Sequence, residues 1–182
     1  MKEKLKLLVD DFARNGFRTI MPDILNGDAR LVLSEPGFDK QKWVAAHGPE
    51  TWMPVLDKVV EALKATGVTR IGTTGYCFGA PPAWYLALKN EAHVTVVSHP
   101  SRLAIPEDLE KYKTTSTAPL LINSCEVDPT FPSEAQALAD EMFGSGKFAP
   151  GYERTYWDGC THGFAVRGDM VISVSTIDDF RN

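Results

Sequence analysis

The residues with the most chemical potential fall in three short segments: Gly75-Tyr76-Cys77-Phe78-Gly79, Cys125-Glu126-Val127-Asp128-Pro129 and Cys160-Thr161-His162-Gly163-Phe164. A reactive side chain with Gly two residues before and two after it fits a tight turn that lifts a nucleophile off a strand end and onto a helix N-terminus. Here the nucleophile is a cysteine. Large side chains at 75 and 79 would crowd that turn, and the glycines relieve it. The helix dipole then favours a thiolate, and the backbone N–H of Phe78 is placed in sequence to donate to an oxyanion. The same five residues also suit a Gly-rich turn around an inert buried cysteine. A phosphate-binding loop is a further reading, since Gly72, Gly75 and Gly79 cluster, but the Gly-Lys-Ser/Thr ending is absent and the glycine spacing is wrong.

An acid after a late strand can hold an imidazole in the right tautomer. Asp128 suits that role and Glu126 competes with it; Asp128 is preferred because it lies deeper in its loop. Of the four histidines, His47 falls in a long loop and His93 begins a strand. His99 follows a strand as a pocket-wall residue. His162 comes latest, after the last clear strand. The chain order Cys77, Asp128, His162 is the nucleophile–acid–base order of hydrolases built on a parallel sheet.

These groups need a frame that gathers loops at one edge. Residues 1–14 have Leu5, Leu8, Val9 and Phe12 at helical spacing among charges, which predicts an amphipathic helix rather than a signal peptide. Strands are expected at Phe17–Met21, Thr69–Thr74, Val94–Ser98, Pro119–Ser124 and Tyr152–Trp157. Helices are expected at Trp52–Lys64, Trp84–Asn90 and Ser133–Phe143, with Ile24–Glu50 a long loop holding at most one short helix. Alternating strands and helices imply an α/β fold, a mostly parallel sheet with helices on both faces. Functional groups then collect beyond the carboxyl ends of the strands. Cys77, Asp128 and His162 all follow strands. Residues 1–182 are expected to form one domain.

With those residues in place, the sequence resembles the dienelactone hydrolase family. The matching motifs are Gly75-Tyr76-Cys77-Phe78-Gly79-Ala80, Glu126-x-Asp128-x-x-Phe131-Pro132 and Thr161-His162-Gly163-Phe164. His99-Pro100-Ser101 and Phe164-Ala165-Val166-Arg167-Gly168 look most like its fungal members. The resemblance runs from about Leu5 to Asp169. It implies an α/β-hydrolase fold, a triad of Cys77, His162 and Asp128, and opening of a small ester or lactone through a thioester, with carboxymethylenebutenolide as the type substrate. Tyr76, Phe78, His99 and Phe164 are the expected oxyanion and substrate contacts. The resemblance also implies strands and an oxyanion loop ahead of the first helix, and a closing amphipathic helix. The sequence instead starts at that first helix, and in the place expected for the closing helix it has Val171–Ile177, a β-branched stretch that suits a strand. A catalytically weak or inactive hydrolase-fold protein acting as a binding or assembly module is therefore the alternative expectation.

Composition narrows the partners. Nineteen Lys+Arg against 24 Asp+Glu give a net charge of −5, without basic clusters, which argues against nucleic acid or an anionic membrane. No apolar run approaches the ~18–20 residues of a bilayer span. Three scattered cysteines make no disulfide framework and point to a reducing compartment such as the cytoplasm. Cys125 and Cys160 are read as small loop residues rather than redox partners of Cys77. The implied chemistry needs no cofactor or metal, and no Cys/His spacing resembles a zinc site. The partner expected is a small-molecule ester or lactone, with self-association through exposed apolar faces.

Overall fold

Among the described residues, four β-strands with β-branched and apolar residues pair side by side, each pairing parallel. In the computed structural model, which describes residues 2–29 and 37–167, these are β1 (Gly72–Tyr76), β2 (Val94–Ser98), β3 (Leu120–Val127) and β4 (Tyr152–Thr161). Their order in the sheet is the order in the chain, β1-β2-β3-β4. Parallel neighbours need a crossover. Helices α4 (Ala80–Leu88), α5 (Glu107–Thr115) and α6 (Ser133–Phe143) supply the three. Helix α3 (Pro49–Ala65) packs on α4, α4 on α5, and α5 on α6, giving one helical layer. Helix α1 (Lys2–Arg14) meets the short α7 (Phe164–Arg167) instead, and α2 (Lys40–Ala46) lies before α3.

The core sits between that layer and the sheet. Ala80, Ala83 and Ala87 of α4 are buried, so small side chains let the helix approach the strands. Aromatic rings fill the space further along: Trp84 and Tyr112 lie 4.4 Å apart, and Phe143 and Phe148 5.2 Å apart. Their polar atoms are satisfied, because Trp84 Nε1 donates to the Asp108 carbonyl and the Tyr112 hydroxyl to the Ala118 carbonyl. Deleting a ring of this size from such packing costs about 3–5 kcal/mol.

Several expectations shift. Residues 17–21 form no strand: Phe17, Ile20 and Met21 are exposed, and an extended segment without a ladder neighbour has nothing to hold it. The strand expected at Thr69–Thr74 is Gly72–Tyr76, set by its register from Gly72 opposite Val94 to Tyr76 opposite Ser98. The helix after the turn, in which Trp84–Asn90 is expected, runs Ala80–Leu88; Pro81 and Pro82 fall in its first turn, where missing N–H groups cost nothing, and it stops two residues short of Asn90. Helix α5 went unforeseen, since only Leu109 and Tyr112 mark its buried face. The stretch Val171–Ile177 lies outside the described residues. Among the described residues, no helix is long and apolar enough to cross a membrane.

Candidate active site

The turn after β1 is the first element of the site. Tyr76 closes the strand in extended geometry, and Cys77 then adopts φ +51°. That left-handed conformation costs a non-glycine residue of order 1–3 kcal/mol and is concentrated at functional turns. Cys77–Gly79 form a single 3₁₀ turn, and α4 follows directly. The two glycines are not equivalent. A Cβ at Gly75 would collide with the Gly79 carbonyl, lying 2.8 Å from its carbon and 3.0 Å from Ala80 Cα. A Cβ at Gly79 would meet nothing within 4 Å. The expectation that both glycines relieve crowding is corrected: Gly75 alone carries the steric demand.

The Cys77 sulfur faces an imidazole. His162 Nε2 lies 3.0 Å from Cys77 Sγ, and His162 Nδ1 lies 2.9 Å from Asp128 Oδ1. The parallel sheet creates this meeting, because the three residues stand at the carboxyl ends of β1, β3 and β4. A bulge between Cys125 and Val127 brings Val127 opposite Thr161, and the His162 N–H donates to the Val127 carbonyl. That bond fixes the histidine beside the acid loop. Glu126, the competing acid, instead accepts from the Gly159 N–H.

Asp128 is buried, and its Oδ1 is crowded with donors. The N–H groups of Thr130 and Phe131 reach it at 2.9 and 3.1 Å and the Thr130 hydroxyl at 2.8 Å. This is an Asx turn, in which the carboxylate caps its own loop. Burial raises the Asp128 pKa, but the hydrogen bonds of His162 and Thr130 outweigh it and hold the carboxyl below its usual range. Thr130 was not foreseen. Its hydroxyl oxygen also lies 3.1 Å from His162 Nδ1 and 3.0 Å from the Pro100 carbonyl. The signal for it was the Asp-Pro-Thr run, an Asx-turn sequence.

Electrostatics favour an ion pair. Burial pushes the Cys77 thiol up, yet the polar groups of His162, His99 and Ser101, with the His162 charge, bring it down to about 5. The Asp128 carboxylate, and after it Cys77, raise His162 to about 9. The charged forms therefore coexist between those values.

The loop after β2 wraps the sulfur. The Ser101 N–H donates to the Cys77 carbonyl, and the Ser101 hydroxyl lies 3.7 Å from Sγ; the sequence marks Ser101 only as part of the His99-Pro100-Ser101 resemblance and gives it no role. His99 is fully buried, with its ring 5.1 Å from that of His162 and 5.4 Å from Phe164. Tyr76 lies 6.3 Å from His99, ring to ring. Phe78 turns its ring toward Trp43 and under the Arg102 guanidinium. His99 thus packs against the His162 ring, with Tyr76 and Phe164 packed in turn against His99, whereas Phe78 brings only its backbone to the turn. None of the three cysteines is in a disulfide; Cys125 is buried, and burial lifts its thiol to about 11. Although its spacing in sequence gave no hint, the fold also gathers the ligand atoms of Cys77, His99 and His162 within 4.8 Å of one another.

A parallel sheet covered by helices, with a sharp strand-to-helix turn at Cys77, places the chain in the α/β-hydrolase-like class. A crystal structure of a candidate dienelactone hydrolase from Klebsiella pneumoniae shares that fold with a TM-score of 0.57 at 16% identity, covering 72% of this chain and 59% of that one. The chain belongs to the dienelactone hydrolase family, whose model matches residues 1–177. It is 32% identical over 175 residues to hydrolase tropI of Talaromyces stipitatus and 29% identical over 166 residues to hydrolase pyvD of Aspergillus violaceofuscus. Each match covers 91% of this chain, and the chain spans 66% and 65% of the length of these two curated relatives.

Proposed function

We propose that the protein hydrolyses small carboxylic esters or lactones through Cys77, His162 and Asp128, with a thioester on Cys77 as intermediate. The observation that carries this reading is the continuous line from Sγ to Nε2 at 3.0 Å and from Nδ1 to Oδ1 at 2.9 Å. The family membership supports the substrate class.

The Cys77 thiolate attacks the ester carbonyl carbon. As the C–S bond forms, the carbonyl electron pair moves onto oxygen, and the Phe78 N–H, which follows Cys77 in the turn, is assigned to donate to that charge. Collapse breaks the C–O bond, and His162 gives its Nε2 proton to the departing alkoxide. The thioester is neutral, so the imidazole loses the partner that helped raise its pKa. It then accepts a proton from water, which attacks the thioester and expels the thiolate. Asp128 keeps the Nδ1 proton in place throughout and stabilises the imidazolium. A thiolate leaves more readily than an alkoxide, which directs the chemistry to esters and lactones rather than amides.

The test is hydrolysis of 4-nitrophenyl acetate and of a dienelactone by the wild-type protein and Cys77→Ala. The variant is expected to lose about 10³-fold or more, as when a triad nucleophile is removed. Equal rates in the two proteins contradict the proposal.

A further inference from the structure

His99 takes no proton and touches no reacting atom in the mechanism above beyond helping to lower the Cys77 thiol, and its state is unusual. It is fully buried, yet neither ring nitrogen has a hydrogen-bond partner. A buried imidazole left unpaired is costly, and this one stands with its ligand atom within 4.8 Å of those of Cys77 and His162. We propose that Cys77 Sγ, a ring nitrogen of His99 and His162 Nε2 form a three-ligand site for a soft divalent cation, with Zn²⁺ the best match, and that an ion held there closes the thiol to other reactions.

One thiolate and two imidazoles are a donor set that Zn²⁺ favours. The outer shell is also present. A ligating histidine usually donates its second ring N–H to a carboxylate, which aims the other nitrogen's lone pair at the metal. His162 Nδ1 already does this to Asp128 at 2.9 Å. Asp128 Oδ2 is buried without a hydrogen-bond partner, so that oxygen is left to act on the imidazole and the proposed ion. Zn–S and Zn–N bonds of about 2.3 and 2.0–2.1 Å put tetrahedral ligand atoms roughly 3.5 Å apart. The His162 nitrogen and the sulfur, 3.0 Å apart, open slightly to admit an ion, and His99 closes the wider gap by about 1 Å. The backbone of His99 stays anchored during this, because its N–H donates to the Asn123 carbonyl at 2.8 Å. Three protein ligands leave the fourth position to water. The ion would occupy both the sulfur lone pair and the nitrogen lone pair that acyl transfer uses, so a metal-bound protein is an inhibited one.

Metal binding is read without substrate, so its outcome and that of the proposed hydrolysis are separable. The chelator-treated chain is titrated with Co²⁺ as a coloured stand-in, and Zn²⁺ is then used to displace it. One equivalent should bind with a sulfur-to-cobalt charge-transfer band, and Zn²⁺ should abolish the colour. Zn²⁺ should also protect Cys77 from iodoacetamide, with EDTA restoring alkylation. His99→Phe keeps a ring against His162 and Phe164 but removes a ligand; it should weaken Zn²⁺ by about 10²-fold or more, beyond the 10–100-fold typical of losing an outer partner. Absence of the charge-transfer band, unprotected alkylation at millimolar Zn²⁺, or undiminished affinity in His99→Phe overturns the proposal. Should that variant fail to fold, protection of Cys77 in the wild-type protein decides alone.

Discussion

Asp128→Asn isolates the part of the site that sets the imidazole. The substitution keeps the shape of a side chain that is 5% exposed and removes only its charge and one acceptor. Two effects follow. The amide nitrogen, if it takes the Oδ2 position, becomes a buried donor with no partner, since Oδ2 has none; if it takes the Oδ1 position, it faces the N–H groups of Thr130 and Phe131. Either placement costs about 1–3 kcal/mol. The charge effect is read from His162, which stands at about 9 against an ordinary 6.5. That gap is worth roughly 3 kcal/mol, and Asp128 is its first cause, with Cys77 second. Assigning about half or more to Asp128 gives at least a 10-fold loss of the ion pair, and loss of tautomer control adds to it, up to the ~10⁴ seen for the same change in a serine triad. The expected fall in kcat/KM for 4-nitrophenyl acetate is thus about 10²–10⁴. Because the imidazolium is destabilised, the thiol must titrate higher, and the midpoint for iodoacetamide alkylation should move up from about 5. Activity within 3-fold of wild type with an unmoved midpoint would refute this reasoning.

The wild-type pH profile follows from the same pair. With the thiol lowered to about 5 and the imidazolium raised to about 9, kcat/KM should climb as pH passes the first value and decline past the second, where the proton for the leaving group is lost. A single rise near the ordinary thiol range would contradict the ion pair. The glycines give a contrast in stability. Gly75→Ala forces a Cβ against the Gly79 backbone, an overpacking of about 2 kcal/mol, which lowers Tm by roughly 4–8 °C in a chain of this size. Gly79→Ala meets open space and should leave Tm within about 1–2 °C, as substitutions away from tight contacts do. Equal Tm values would show that the turn is not sterically set by Gly75.

What the sequence made legible was local. The turn around Cys77 announces itself through Gly75, whose backbone neighbours leave no room for a Cβ. Cys77, Asp128 and His162 are readable because each follows a strand, and a parallel sheet collects such positions at one edge. The contributions that escaped notice depend on register. Ser101 reaches Cys77 only because β2 pairs with β1 from Val94 opposite Gly72 onward, and that pairing has no signature in the chain itself. Thr130 matters through a hydroxyl that bridges Asp128, His162 and Pro100, a three-way contact that no spacing rule supplies. His99 read as a pocket wall because its burial and lack of partners are products of packing. The run Phe17–Met21 shows the opposite error, since five residues of strand-like composition form no strand without a neighbour to pair with.

The central claim is a covalent acyl group on Cys77. The protein is mixed with a slowly deacylating activated ester and quenched in acid, and the acyl mass is located by peptide mapping. The account predicts one acyl group per chain on Cys77, absent in Cys77→Ala and decaying at the rate of turnover. Turnover with no adduct on Cys77, or an adduct on another residue that decays at that rate, would contradict it.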